Sequence, residues 1–388
     1  MRQTLAILLD GYRELNHRKL FWFVLILSGL VVLAFAALGN DEEGLTFLHW
    51  SIPFPLVSTT FIPKADFYKI VFSQFGLGLW LSFAATIVAL ISTASIIPDF
   101  VDRGSIDLML SKPIGRVRLF LTKFSSGLLF AGLQVTVFTV AAFLVIGLRA
   151  GDWEPWLFVS IPLFLLFYSY LFSMQAVVGL VTRSVIASVI VVFLFWGVLF
   201  LVQSGDGVTL MWRVTQEITT ERKTERIELF QIRAIEAEAL RVELYDRAAD
   251  GDETAAAELP EAEKDADIRA ARLIRMQDEQ EEAIETLEIA TRVNWWLHLA
   301  NTMLPKTGET IQLLERILRD RADLVIPVGD EDNTQRQFGA MVGAREFDER
   351  MQAALGESHS AIWTIGTSLV FEFCVLAFGV WWFSRRDY

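Results

Sequence analysis

The sequence predicts an all-α polytopic membrane protein: six transmembrane helices, with a large helical extracytoplasmic insertion between helices five and six. Three observations lead there. The chain of 388 residues is 53% hydrophobic and holds 30 Phe, far too apolar for a soluble domain of that length. Its charge is segregated, since residues 204–360 carry 34 Asp+Glu against 19 Lys+Arg and the remainder 13 against 15. Six apolar runs, at 20–38, 72–97, 126–148, 156–181, 185–202 and 361–383, come close to or exceed the ~20 residues that cross a hydrocarbon core. The net charge of −13 is therefore a property of the insertion, and the membrane part is weakly basic.

Residues 1–19 precede the first run, with Leu5, Leu8, Leu9, Tyr12 and Leu15 at helical spacing, as in a helix lying in the cytoplasmic interface. Residues 20–33 followed by Ala34, Phe35 and Ala36 also look like a signal peptide core and cleavage site, but Asp10 and Glu14 and the length of the leader favour a retained first span. Residues 20–203 form spans one to five. After the first of them "WSIPFPLVSTTFIP" is apolar, yet Pro53, Pro55 and Pro63 predict an ordered surface or interfacial loop. With the N-terminus inside, the cytoplasmic pieces hold 12 Lys+Arg and the short outside loops only Lys64, Lys69 and Arg149. That bias puts both termini in the cytoplasm, with residues 361–388 as the sixth span and its tail.

The insertion, residues 204–360, opens with two runs rich in Ala, Glu, Arg and Leu, at 212–249 and 265–292. Ile227, Phe230, Ala234, Ala237, Leu240 and Leu244 recur at three- and four-residue steps, and Ile268, Ala271, Ile274, Ile284, Leu287 and Thr291 do so less regularly. Around a turn holding Gly251 and Pro260 this predicts an antiparallel helical hairpin; a pair of solvated helices with little mutual packing is the alternative. Trp295, Trp296, Leu299 and Met303 suit an interfacial helix, and residues 310–318 a second amphipathic one. Between them "LPKTG", residues 304–308, matches a sortase recognition motif. The apolar anchor is about fifty residues away rather than close behind, so the segment is expected to be a Pro/Gly turn.

The chain contains no GxxxxGK[ST] loop, so a nucleotide-driven motor would have to be another polypeptide. His17, His49, His298 and His359 are isolated, which argues against a metal centre, and no nucleophile–base pattern is present. Cys374 is the one cysteine. Within the spans, Glu372 either lines or gates a path, or is a hydrogen-bonded group between helices, because an ionised carboxylate at that depth is costly. Gln134 and Gln175 are candidates for the same path or for helix–helix hydrogen bonds.

The segment 98–124, between spans two and three, is denser in charge than a connector needs. "DFVDRGSIDLMLSKPIGRVRLFLTKF" resembles the cytosolic segment between spans two and three of ABC-2-type transporter permeases. In that family an acidic residue, a basic one and a Gly-Thr/Ser pair precede "(L/I)xxLLSxPxxRxxxxxxK". The matching positions are Asp102, Arg103, Gly104, Ser105, Ile106, Leu110, Ser111, Pro113, Arg116 and Lys123. Asp102 stands where Glu is usual and Ser105 where Thr is common. The resemblance covers about residues 1–203 and 361–388, and the nearest branch is that of the multicopper-enzyme-maturation and gliding-motility permeases.

The resemblance implies that these residues dock on a separate ABC ATPase, which binds ATP and Mg, while this chain carries no cofactor and catalyses nothing. It implies pairing with a second permease, identical or paralogous, in the bacterial inner membrane. Spans two and five would then line the path of an exporter whose cargo the sequence does not name. Physically, residues 105–110 would present apolar knobs to the partner before Pro113 breaks the helix, with complementary charge fixing the register. An interfacial helix on anionic lipid is the plainer reading of the same residues. The long hairpin raises two rivals: a mechanotransmitter that relays ATPase motion to an extracytoplasmic protein without cargo crossing, and a scaffold without an ATPase. Membrane lipid is a partner in every reading, and nucleic acid in none.

Overall fold

The computed structural model describes residues 19–53, 57–60, 62–101, 115–321, 347, 349–351, 353–354 and 360–385. The interfacial helix expected at residues 1–18 and eight of the docking positions, Asp102, Arg103, Gly104, Ser105, Ile106, Leu110, Ser111 and Pro113, lie outside them. By internal contacts the chain forms two units. The first comprises Met1–Gln203 with residues 301–321 and 360–385 of those described, and the second Ser204–Ala300 with the described residues near 350.

The first unit is a helical bundle. Helix α1 (Lys19–Ala37) leads into strands β1 (Leu38–Asn40), β2 (Gly44–Phe47) and β3 (Trp50–Pro53). Then follow α2 (Lys64–Val71), a π-helix (Phe72–Ala85), α3 (Thr86–Thr93) and α4 (Ile96–Val101). The re-entering helix α5 (Arg116–Ala150) comes next, and a 3₁₀ turn (Pro155–Val159) opens α6 (Ser160–Thr182). Helix α7 (Val185–Ala249) contributes its first residues to this unit and the rest to the second. Helix α8 (Glu253–Met303) belongs almost wholly to the second unit; α9 (Thr307–Arg321) and α10 (Ala361–Arg385) complete the first. Five helical stretches are long and apolar enough to cross a membrane, and the apolar run Trp22–Ala37 is shorter. The chain is thus a multi-pass membrane protein.

Helix α6 is the centre of the bundle, packing on α5, α9 and α10. Its rings make a ladder with α5: Phe124 stacks on Phe172 at 5.2 Å, and Phe172 on Tyr168 at 5.6 Å. Tyr168 is fixed in turn by a 2.7 Å hydrogen bond to Thr93 of α3. Gly127 of α5 exists for this ladder. A Cβ there would lie 2.3 Å from two ring atoms of Phe172.

The structure corrects the sequence reading in four places. The stretch expected as loop, residues 50–63, opens with strand β3, the outer strand of a three-stranded antiparallel sheet whose other two strands precede it, with Gly39 opposite Thr46 and Thr46 opposite Ser51. Its strands are too short to stand out in the sequence. The turn of the hairpin is confined to residues 250–252, and α8 starts at Glu253 rather than Asp265, carrying Pro260 inside it. A run of strong helix formers, Ala255, Ala256, Ala257 and Glu258, tolerates the one missing donor. Third, α8 continues unbroken through Trp295 and Trp296 to Met303, where a separate helix was expected. Fourth, residues 301–321, read as part of the insertion, pack with the spans: α9 buries Ile311, Leu313, Leu314 and Leu318 against α6 and its neighbours.

In the second unit α7 and α8 run antiparallel. Thr209 pairs with Asn294, Thr220 with Ala283, Thr224 with Gln280 and Phe230 with Arg272. The seam on α8 is made by small residues, Ala266, Ala283 and Ala290, whereas Ile268, Ile274 and Ile284 are exposed. The expected hairpin is present, with the phase of its second helix shifted. At the turn, Asp252 Oδ1 accepts from the amides of Thr254 and Ala255 and Oδ2 from Arg247 at 2.6 Å, a helix N-cap reinforced by a cation.

The Thr254 hydroxyl, which also donates to Oδ1, and then the Arg247 and amide bonds hold the Asp252 carboxyl well below the usual carboxylate range. A depressed folded pKa gives a contribution complete above the unfolded value near ~3.9 and lost only as pH falls through the folded one. Amide exchange at Thr254 and Ala255 is therefore expected to stay slow from neutral pH down to about 4, and Asp252→Ala to accelerate it across that whole range.

Candidate functional site

The candidate span Lys64–Val101 is unusual in that its middle is a 14-residue π-helix, Phe72–Ala85. The hydroxyls of Ser82 and of Thr86, just past its end, reach carbonyls five residues back, Leu77 and Leu81, each at 2.7 Å. Buried positions fall in pairs, 72–73, 76–77, 81–82 and 85–86, a period longer than the 3.6 residues of an α-helix. π-Helical turns are rare and concentrate at functional sites. Gly76 allows the ring of Phe138 to approach, since a Cβ would stand 3.3 Å from it, and Trp80 Nε1 donates to Ser28 of α1 at 3.3 Å.

This widened helix forms one wall of a cavity of about 450 Å³. Ser73, Gln74, Ser82 and Phe83 come from the π-helix, Trp196, Phe200 and Gln203 from α7, Phe167 from α6, and Ile311 and Gln312 from α9. The lining holds amides and hydroxyls together with aromatic rings, and no charged side chain. Such a surface can hold an uncharged or weakly polar group without the cost of desolvating an unpaired ion.

Thr307 and Gly308 of the "LPKTG" segment belong to the lining as well, and that segment is a built turn. Gln203 Oε1 accepts from the Gly308 amide at 3.1 Å, and its Nε2 donates to the Pro305 carbonyl at 3.0 Å. Lys306 is fully buried. Its Nζ donates to the carbonyls of Thr302 and Leu304 and to Thr367 Oγ1 at 2.7 Å, and lies 4.3 Å from the centre of the Trp363 ring. The Lys306 amide donates to Ser368 Oγ at 2.9 Å. Glu309 Oε2 accepts from Thr364 and Oε1 from Asn301. A peptide so enclosed cannot enter a processing enzyme's cleft, so the turn reading of this motif holds.

The three path candidates do not line this cavity. Glu372, 8% exposed, accepts from Ser169 Oγ at 2.9 Å between α10 and α6. Gln175 Nε2 donates to the Leu90 carbonyl at 2.9 Å, tying α6 to α3. Gln134 is buried in α5 with both amide atoms unmatched among the described residues. Of the two docking residues described, Arg116 opens α5 and donates to the Ser384 carbonyl at 3.2 Å. Lys123, two turns on, is 7% exposed and so is enclosed by the bundle rather than set at its surface. The cavity itself was missed by sequence reasoning; the clustered Gly76, Gly78, Ser73 and Ser82 within an apolar span were the available signal.

A model of the family described as ABC-2 family transporter protein matches residues 28–217, which include the π-helix and most of the cavity wall. No curated protein and no solved structure matches the chain.

Proposed function

We propose that this chain, an ABC-2-type permease by its domain at residues 28–217 and hence a permease component of an ABC transporter, is the membrane half of an exporter driven by a separate ATPase. It spans the bacterial cytoplasmic membrane six times, counting α1 as the first span. Both termini are cytoplasmic and the insertion is on the other side. Two such chains, or this one and a paralogue, pair with two ATPase subunits that bind ATP and Mg, and this chain hydrolyses nothing. Residues 102–113 receive the ATPase, with Arg116 at the start of the helix that carries the motion inward.

The observation that carries export is the cavity between the π-helical second span and the fifth, with its uncharged polar and aromatic lining. A transmitter that passes only motion has no use for such a space. The mechanotransmitting reading keeps one observation in its favour, that α7 runs without a break from Val185 to Ala249.

The test is gentle purification of the full chain from its native membrane. An ABC ATPase is expected to come with it, and Leu110→Glu or Arg116→Glu to reduce its recovery about tenfold, as for loss of one central anchor or charge-assisted contact. Absence of any ATPase, in a detergent that preserves a known transporter complex, sinks the proposal. Retained ATPase binding with no transport, when Gln74→Trp fills the cavity, separates export from transmission of motion.

A further inference from the structure

The small sheet after α1 has two chemically different faces. In an antiparallel sheet, residues opposite one another share a face. One face carries the row Gly39, Thr46, Ser51, and the other carries Leu38, Phe47, Trp50 together with Asn40, Leu45, Ile52. On the apolar face the outer strand is bare: Trp50 is 77% exposed, and Ile52 is exposed too; Leu48, in the turn between β2 and β3, is also exposed. Leu48 is held at φ 57° in the β2–β3 turn, an uncommon conformation for a leucine. The inner strands of that face wall an apolar cavity of about 470 Å³, shared with Phe35, Phe67 and Phe75.

The polar face walls a second cavity of about 360 Å³, with Asp41, His49, Lys64 and Arg149 around it. Arg149 is aimed by Tyr68, whose hydroxyl accepts from Nε at 3.2 Å and donates to the Leu38 carbonyl at 2.6 Å. The guanidinium lies over Gly39, where a Cβ would stand 2.8 Å from Thr46 Oγ1 and 3.7 Å from Arg149 Nη2. Glycine within a strand marks such close approaches. An acid group, Asp41, shares the space. Asp41 uses Oδ1 to accept from the amides of Glu43 and Gly44, both at 2.9 Å, and Glu43 accepts from Ser51 at 3.1 Å.

We propose that this sheet seats a zwitterionic aminophospholipid of the membrane surface at this end of the bundle. Lys64 and Arg149 take the phosphate, Asp41 takes the primary ammonium, and the hydrocarbon leaves past Leu48, the exposed apolar side chain in the lining of the same cavity. Both signs of charge in one pocket select a zwitterion over a purely anionic head, which would meet Asp41. A choline head has no N–H to donate to Asp41. The inference rests on the membrane-spanning architecture and not on the export reading.

The experiment uses the full-length protein in mild detergent with equal amounts of phosphatidylethanolamine, phosphatidylcholine and phosphatidylglycerol, and native mass spectrometry reads the retained lipid. One phosphatidylethanolamine is expected to be retained about tenfold over the other two, the scale of one or two charge-assisted contacts. Lys64→Gln with Arg149→Gln removes that retention. Asp41→Asn, which keeps the Oδ1 turn acceptor, removes the discrimination against choline. Folding of each variant is checked by helical circular dichroism and gel filtration. Equal retention of all three lipids, preference for phosphatidylglycerol, unchanged selectivity in folded variants, or displacement by soluble glycerophosphoethanolamine at matched concentration each overturns the proposal.

Discussion

Lys306→Met is expected to destabilise the protein by roughly 3 kcal/mol or more, read as a fall in Tm in detergent. The side chain keeps most of its hydrocarbon, so packing is little changed. What disappears is a donor to three oxygens, the carbonyls of Thr302 and Leu304 and the Thr367 hydroxyl, in a place where Lys306 itself is fully buried. Each buried acceptor left without a partner costs ~1–3 kcal/mol. Lys264→Met, at an exposed position of α8, should change stability by no more than ~0.5 kcal/mol. An equal, small effect of both substitutions would show that the turn at 304–308 does not hold α9 to the spans.

Gly127→Ala is the second large effect, and its sign is the informative part. In a helix, replacing glycine by alanine ordinarily gains up to ~1 kcal/mol. Here the new Cβ would sit 2.3 Å from the ring of Phe172, and that ring cannot retreat. Phe124 stacks on it at 5.2 Å and Tyr168 at 5.6 Å. Overpacking of this kind costs ~1–3 kcal/mol, so a lower Tm is expected. Gly132 of the same helix is the control, because its Cβ would meet only Leu165 at an ordinary 3.4 Å. Gly132→Ala should be neutral or stabilising. Like signs for the two substitutions would contradict the packing described for α5 and α6.

The sequence and the structure agree where one strong physical requirement dominates. Runs of apolar residues near twenty long must be helical in a bilayer, because no water is there to satisfy the backbone, and five of the six runs are helices of spanning length. The hairpin was legible from its three- and four-residue spacing. Its second helix was read in the wrong phase because bulk was weighed above fit: Ile268 and Ile274 are exposed, and Ala283 and Ala290 make the seam. Pro260 reads as a breaker, yet a single missing hydrogen bond in an Ala-rich helix is survivable. The sheet escaped notice because strands of three or four residues carry little alternation. The role of Lys306 is not legible either: two of its acceptors are the nearby carbonyls of Thr302 and Leu304, but what encloses it, Trp363, Thr367 and Ser368, lies about sixty positions along the chain.

The π-helix has a practical consequence for anyone who probes the span Lys64–Val101. Cross-linking pairs, spin labels and scanning mutations are usually laid out on a 100° wheel. In this span that wheel loses step with the molecule: buried pairs fall at 72–73, 76–77, 81–82 and 85–86, so a probe placed two α-turns beyond Phe72 would be assigned to the wrong wall. Accessibility data from this span need a ruler with wider divisions, and a profile that fits the ordinary wheel from Phe72 to Thr86 would mean that the helix had rewound.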